Sequence, residues 1–132
     1  MSDAQARILF VEDNKVHARA TKNCLGKQHD VILETSVEDA LDRFARLDFD
    51  LVIVDWGLSG ESGLSFVRDL KENFGAEDLP IMMQTGEDRA KYVREAVEAG
   101  IDDYVAKPVH CETLREKVAV LLESSPAGPQ AS

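Results

Sequence analysis

Five polar residues of this sequence lie at or just after the ends of short apolar runs, and they could act together on a charged group: Glu12, Asp13, Asp55, Thr85 and Lys107. Asp55 is the clearest case, because four aliphatic residues precede it and a glycine-containing turn follows. Such a run is typical of a strand buried on both faces, and ligands of open α/β sheets bind outside the carboxyl ends of their strands. Asp55 is therefore a candidate site residue. The alternative is an aspartate that only caps the turn.

The residue types predict the chemistry. Three carboxylates brought to one edge of a sheet would repel one another unless a cation lay between them. Oxygen ligands without a nearby histidine or cysteine favour Mg²⁺, which keeps several waters and takes further ligands from a phosphate. Lys107 would add a positive charge and Thr85 a hydroxyl donor for a phosphoryl group on Asp55. The pattern predicts phosphoryl acceptance on Asp55.

The elements that must position these residues alternate along the chain. Apolar strands are predicted near residues 8–11, 29–33, 51–54, 81–83 and 104–106, each followed by an amphipathic helix. Right-handed crossovers then require an α/β fold, a doubly wound five-stranded parallel sheet with helices on both faces. One domain is expected over residues 1–123. Residues 124–132 are small, polar and proline-bearing, which predicts a disordered C-terminal tail.

Helical spacing also predicts which side chains face the core. The expected inward residues are Val16, Ala20, Cys24 and Leu25 in the first helix, Ala90, Val93, Ala96 and Val97 in the fourth, and Cys111, Leu114, Val118, Leu121 and Leu122 in the last. Cys24 and Cys111 lie far apart in the sequence, without other ligands at metal-binding spacing near Cys24. We therefore expect both to pack as small apolar residues, not to form a disulfide or a zinc site.

Charge limits the kinds of partner. Against 15 Lys and Arg residues stand 25 Asp and Glu residues, a formal net charge of -10. The resulting field would repel a phosphate backbone, so neither nucleic acid nor an anionic membrane is an expected partner. The N-terminus has no apolar segment, and no stretch is long and uncharged enough for a membrane span. A soluble cytoplasmic protein is expected.

As a set, these residues resemble the receiver domain of two-component response regulators, especially its single-domain, chemotaxis-regulator-like members. The motifs that carry the resemblance are Glu12-Asp13, Asp55, Thr85 and Lys107-Pro108, with Gly100-Ile101-Asp102-Asp103-Tyr104 before the lysine. They agree in order, spacing and strand context over about residues 7–123. The resemblance implies a flavodoxin-like fold with strand order 2-1-3-4-5.

The resemblance also implies roles for individual residues. Asp55 would be the phosphoacceptor, Lys107 would bind the phosphate, and Thr85 with Tyr104 would form a switch pair. The Mg²⁺ ligands would be Glu12, Asp13, Asp55 and the backbone carbonyl of Gly57. Pro108 matches a proline that often follows a cis bond in the family, although sequence does not reveal the isomer. The sequence departs from the family pattern at Ser59, Glu61, Gly86 and Val109.

The implied function is signalling and not enzymatic turnover of a substrate. A histidine kinase or histidine phosphotransfer protein would donate the phosphoryl group. Phosphorylation would then change the binding of a downstream protein at the surface of the fourth helix, fifth strand and last helix. One alternative is a receiver-like docking module that is never phosphorylated, but every expected reacting residue is present. A phosphohydrolase with an aspartate nucleophile usually needs a second acid two residues later, where this chain has Gly57.

Overall fold

The computed structural model describes residues 5–57, 63–86 and 90–124. Strands and helices alternate along these residues in the predicted order. Their bounds are β1 Arg7–Val11, α1 Lys15–Leu25, β2 Asp30–Glu34, α2 Val37–Arg46, β3 Leu51–Asp55, α3 Gly63–Asn73, β4 Ile81–Thr85, α4 Ala90–Ala99, β5 Asp103–Ala106 and α5 Cys111–Ser124. The predicted tail begins within the last turn of α5, and its residues 125–132 lie outside the described part of the chain.

The strands form one parallel sheet in the order β2-β1-β3-β4-β5. This confirms the expected doubly wound, flavodoxin-like topology. The register pairs Asp55 with Gln84 and Thr85 with Ala106. The carboxyl ends of the three strands β3, β4 and β5 therefore meet at one edge, as the parallel arrangement requires.

Helices cover both faces of the sheet, and each face has its own apolar core. Residues of α2, α3 and α4 pack on one face, whereas α1 and α5 pack on the other. Alternation along β3 sends Val52 and Val54 to the first core and Leu51 and Ile53 to the second. By the same alternation, Asp55 belongs to the face that α1 and α5 cover.

Local contacts fix where the helices begin. The side-chain oxygen of Asn14 accepts hydrogen bonds from Val16 N and His17 N at 3.0 Å each, so the chain turns into α1 directly after β1. Such a cap contributes about 1 kcal/mol. At the start of α3, a Cβ on Gly63 would collide with the carbonyl oxygen of Asp55. Only a glycine lets this helix begin so close to the end of β3.

The predicted inner faces of two helices are partly wrong. In α1 the buried residues are Ala18, Thr21, Cys24 and Leu25, whereas Val16 is 76% exposed and Ala20 is also exposed. The first turn of α1 lies just beyond the end of β1, so it has little sheet to cover, and the later turns set the helix rotation. In α4, Ala96 is buried as predicted but Val97 is 58% exposed.

The prediction for the cysteines is also wrong. Cys24 and Cys111 form a disulfide across 87 residues of sequence, with their Cα atoms 5.7 Å apart. Cys111 is exposed and does not face the core. The reason is tertiary: α1 and α5 pack side by side on the same face of the sheet, which brings the end of one helix to the start of the other.

Candidate functional site

The predicted acidic residues meet at the carboxyl edge of the sheet. One carboxylate oxygen from each of Glu12, Asp13 and Asp55 lies within 4.8 Å of the others. Glu12 and Asp55 are only 1% and 6% exposed, whereas Asp13 is half-buried. Because β1 and β3 are neighbours in the sheet, the acids that follow one strand stand directly beside the acid that ends the other. This set of hard oxygen donors fits a small divalent cation.

Lys107 reaches this cluster from the far side of β4. Its Nζ donates to Asp55 Oδ1 at 2.7 Å and to Glu12 Oε1 at 3.3 Å. The lysine follows β5, and β4 separates that strand from β3, so the side chain must cross the end of β4. Its backbone N–H donates to the carbonyl of Thr85 at 2.8 Å, which fixes the start of this crossing. The Lys107–Pro108 peptide bond is cis.

The charges of the site perturb one another. Burial by itself lowers the pKa of Lys107, but hydrogen bonding and charge attraction to Asp55 and then to Glu12 outweigh it and raise the pKa overall. Burial raises the pKa of Glu12, and the neighbouring Asp55 charge raises it further. The Asn14 N–H, 3.2 Å from Glu12 Oε2, and the Lys107 ammonium oppose that rise without cancelling it. Among the described residues, three carboxylates thus stand against one ammonium at this site, and burial makes the charged form of Glu12 more costly.

The remaining predicted site residues lie around this cluster. Thr85 ends β4 and is 5% exposed. Tyr104 is half-buried on β5 and packs against the core of the α2, α3 and α4 face. Its strand partner is Met83, two residues before Thr85, so Tyr104 and Thr85 lie on the same face of the sheet. Gly57 is exposed in the turn that follows β3.

Sequence reasoning missed two residues beside the site. His17 Nδ1 lies 3.4 Å from Lys107 Nζ. Gln84 is 1% exposed, and its amide nitrogen Nε2 has no hydrogen-bond partner among the described residues. Both line a cavity of about 250 Å³ between α1 and α5, together with Lys107 and the two cysteines. The position of Gln84 in the apolar run of β4 was the available signal, because an amide there enters a core.

With a divalent cation on its acids, the arrangement could hold a group with several negative charges. Asp55 offers a carboxylate oxygen, Lys107 an ammonium in contact with it, and Glu12 with Asp13 further oxygen donors that a cation could use. Phosphoryl transfer depends mostly on such positioning and charge compensation. Within the described residues no helix has the length and apolar character needed to cross a bilayer.

Comparison with known proteins agrees with the fold and shows the family. Residues 8–119 match the family model of the response regulator receiver domain. Chemotaxis protein CheY-3 of Vibrio cholerae is 30% identical over 122 residues, which cover 89% of this chain and 92% of that protein. Two-component response regulator PhoP of Pseudomonas aeruginosa is 34% identical over 120 residues, or 90% of this chain but only 52% of PhoP.

A solved structure gives the same result. The beryllofluoride-activated DrrB receiver domain superposes with a TM-score of 0.82 at 28% identity, covering 90% of this chain and 98% of that one. The family match spans most of the sequence and includes the acidic cluster, β3 with Asp55, and Lys107. The chain belongs to the response regulator receiver domains of two-component systems.

Proposed function

We propose that this receiver domain accepts a phosphoryl group on Asp55 and thereby changes its binding to another protein. The contact of Lys107 Nζ with Asp55 Oδ1, inside a cluster of three acids, carries the proposal. The donor is a phosphohistidine in a histidine kinase or histidine phosphotransfer protein, and the location is cytoplasmic. CheY-3, which is similar over nearly its whole length, supports a role in signalling.

The reaction transfers one phosphoryl group. An oxygen of the Asp55 carboxylate attacks phosphorus, the bond between phosphorus and the donor imidazole nitrogen breaks, and that nitrogen takes the electron pair and later a proton. Lys107, already in contact with Asp55, is close enough to move its ammonium onto a phosphoryl oxygen. Thr85, at the end of the neighbouring strand, supplies a hydroxyl donor.

Glu12, Asp13 and Asp55, with the backbone carbonyl of Gly57, would hold the Mg²⁺ ion. Their hard oxygen donors, and the presence of three carboxylates beside the Lys107 ammonium, support this assignment. When bound, the ion would offset charge on the transferring phosphoryl group. Loss of the Asp13 carboxylate, by Asp13→Ala, should weaken both Mg²⁺ binding and phosphorylation.

Thr85 and Tyr104 convert phosphorylation into a change of the protein surface. A phosphate adds about -1.5 to -2 units of charge and strong acceptor oxygens, by analogy with other phosphorylated side chains. If Thr85 moves towards it, space opens next to Tyr104, which lies on the same face of the sheet and is half-buried. Inward rotation of Tyr104 would reshape the surface of α4, β5 and α5, where the downstream partner binds. A partner that prefers this form also favours phosphorylation, because the coupling is reciprocal.

Intact-mass measurement tests the phosphorylation. The protein is incubated with Mg²⁺ and acetyl phosphate or phosphoramidate, and we expect one added phosphoryl group that base removes. Asp55→Asn should abolish it. Asp48→Asn is the matched control, because Asp48 is exposed before the start of β3, at the opposite edge of the sheet. Full labelling of Asp55→Asn would refute the site, and a protein that never labels would be the docking module.

The switch is tested separately with beryllofluoride as the phosphoryl mimic. We expect amide chemical shifts to change around Asp55 and also from Asp88 through Lys107. Changes that stop at the Asp55 turn would refute the switch and leave phosphorylation unaffected.

A further inference from the structure

The disulfide between Cys24 and Cys111 lies in the wall of the cavity that adjoins the site. Cys24 is in the last turn of α1, and Cys111 is the first residue of α5. The bond therefore ties the two helices that cover one face of the sheet. Arg115 adds a noncovalent tie, since its guanidinium donates to the carbonyl of Cys24 at 3.4 Å.

The two cysteines differ in exposure. Cys24 is 9% exposed, whereas Cys111 is an exposed residue at the surface. A thiolate can attack a disulfide only at a sulfur that it can reach, so Cys111 is the point of entry. In the proposed cytoplasmic location, such a bond would be a reversible redox element and not a permanent staple.

The disulfide affects the geometry of the site through α1 and through the segment before α5. His17, in the first turn of α1, lies 3.4 Å from Lys107 Nζ. Cys111 comes four residues after Lys107, and Pro108 and Val109 line the same cavity. The separation of α1 from α5 therefore sets the surroundings of the cation that contacts Asp55.

We propose that Cys24 and Cys111 are a reversible thiol–disulfide site whose oxidised form holds Lys107 in place and speeds phosphorylation of Asp55. This regulation rests on the proposed phosphoryl acceptance. A dithiol reductant supplies the two electrons. Its thiolate attacks Cys111 Sγ and Cys24 leaves as a thiolate that takes a proton; the second reductant thiol then closes its own disulfide and releases Cys111 as a thiol.

Reduction loosens the helix contact without separating the helices, because the Arg115 hydrogen bonds and the apolar packing remain. The loss of positioning should therefore be modest. We expect phosphorylation of the reduced form to be about threefold to tenfold slower, within the range that misplacement of a reacting group produces.

The experiment compares the full chain after treatment with diamide and after treatment with dithiothreitol. Alkylation followed by intact mass counts free thiols, and phosphoramidate with Mg²⁺ gives the rate. For the oxidised form we expect no free thiol and the faster phosphorylation rate. For the reduced form we expect two free thiols, one for each cysteine of the chain, and the slower rate. Cys111→Ser should show the reduced rate under both treatments. The reduced wild type keeps the test valid if that variant folds poorly.

Two results would overturn the inference: a disulfide that does not form with diamide, or equal rates in the two forms. If neither form is phosphorylated, the proposed function fails, and amide chemical shifts decide the redox coupling. Different shifts at His17, Gln84 and Lys107 in the two forms would support it, and identical shifts would overturn it.

Discussion

Replacement of Gln84 by methionine should stabilise the protein. The side chain is 1% exposed, yet its Nε2 donates to no described residue. Gln84 therefore gives up hydration of its amide nitrogen without a compensating hydrogen bond within the described part of the chain. Methionine has a similar length and no strong polar group, so Gln84→Met removes this penalty and keeps most of the packing.

The magnitude follows from the cost of a buried, unsatisfied donor, which is about 1–3 kcal/mol. Imperfect packing of the thioether beside the 250 Å³ cavity should cancel part of this stabilisation. We expect the free energy of unfolding to rise by about 1–2 kcal/mol, which for a domain of this size is roughly 4–8 °C in Tm.

Urea denaturation followed by circular dichroism measures the change. The midpoint should rise by roughly 0.5–1 M with an unchanged slope, because typical slopes are about 1–3 kcal/mol per M. Gln28→Met is the matched control: Gln28 is exposed, and the same substitution there should change stability by less than about 0.5 kcal/mol.

The opposite result would be informative. If Gln84→Met lowers stability by about 1 kcal/mol or more, the amide is satisfied by ordered water in the cavity, and the reasoning from an unmet donor is refuted.

Three further predictions concern single side chains. His29 accepts from Ala6 N, and burial lowers its pKa while the charge of Asp50 opposes the shift. Folding thus favours the neutral imidazole, whereas the unfolded chain binds a proton near pH 6.5. Denaturation midpoints should therefore fall as the pH drops below about 6.5. His29→Asn should remove this contribution to the pH dependence of the midpoint. Gly63→Ala should lower the free energy of unfolding by about 1–3 kcal/mol in the same assay, because the added Cβ would meet the Asp55 carbonyl. Gly86→Ala is the control and should change it very little, since the space around its Cβ is open. Equal losses of stability in the two variants would contradict this. Lys107→Ala leaves Asp55 and Glu12 without their shared cation and should slow phosphorylation by about 100-fold or more, as measured by intact mass; a near-normal rate would remove Lys107 from the reaction.

The sequence predicted the parallel α/β sheet and the meeting of Glu12, Asp13 and Asp55 because both depend on where strands begin and end. An apolar run of four or five residues is a strong signal for a buried parallel strand, and parallel strands bring their carboxyl ends to one edge. The fold class follows from this alternation, while the strand order came from the family resemblance.

Features that depend on how helices pack were not predictable in the same way. Rotation of α1 by less than a turn decides whether Val16 or Ala18 faces the sheet, and helical spacing alone fits both. The Cys24–Cys111 bond requires α1 and α5 to be neighbours on one face. Nothing near either cysteine in the sequence encodes that distance, since 87 residues separate them. The same applies to His17 in α1, which meets Lys107 after β5 although 90 residues of sequence separate them.

The two halves of the site belong to parts of the sheet with different local stability. The acids follow β1 and β3, which have strands on both sides, whereas Lys107 follows β5, a strand of four residues that pairs with β4 alone in the described sheet. Edge elements with few partners open at lower free energy than the centre of a domain. Native-state hydrogen exchange should therefore find β5 opening while β1 and β3 remain closed. Each such opening separates the cation from the carboxylates, so the lifetime of the assembled site is set by one edge strand and not by global unfolding.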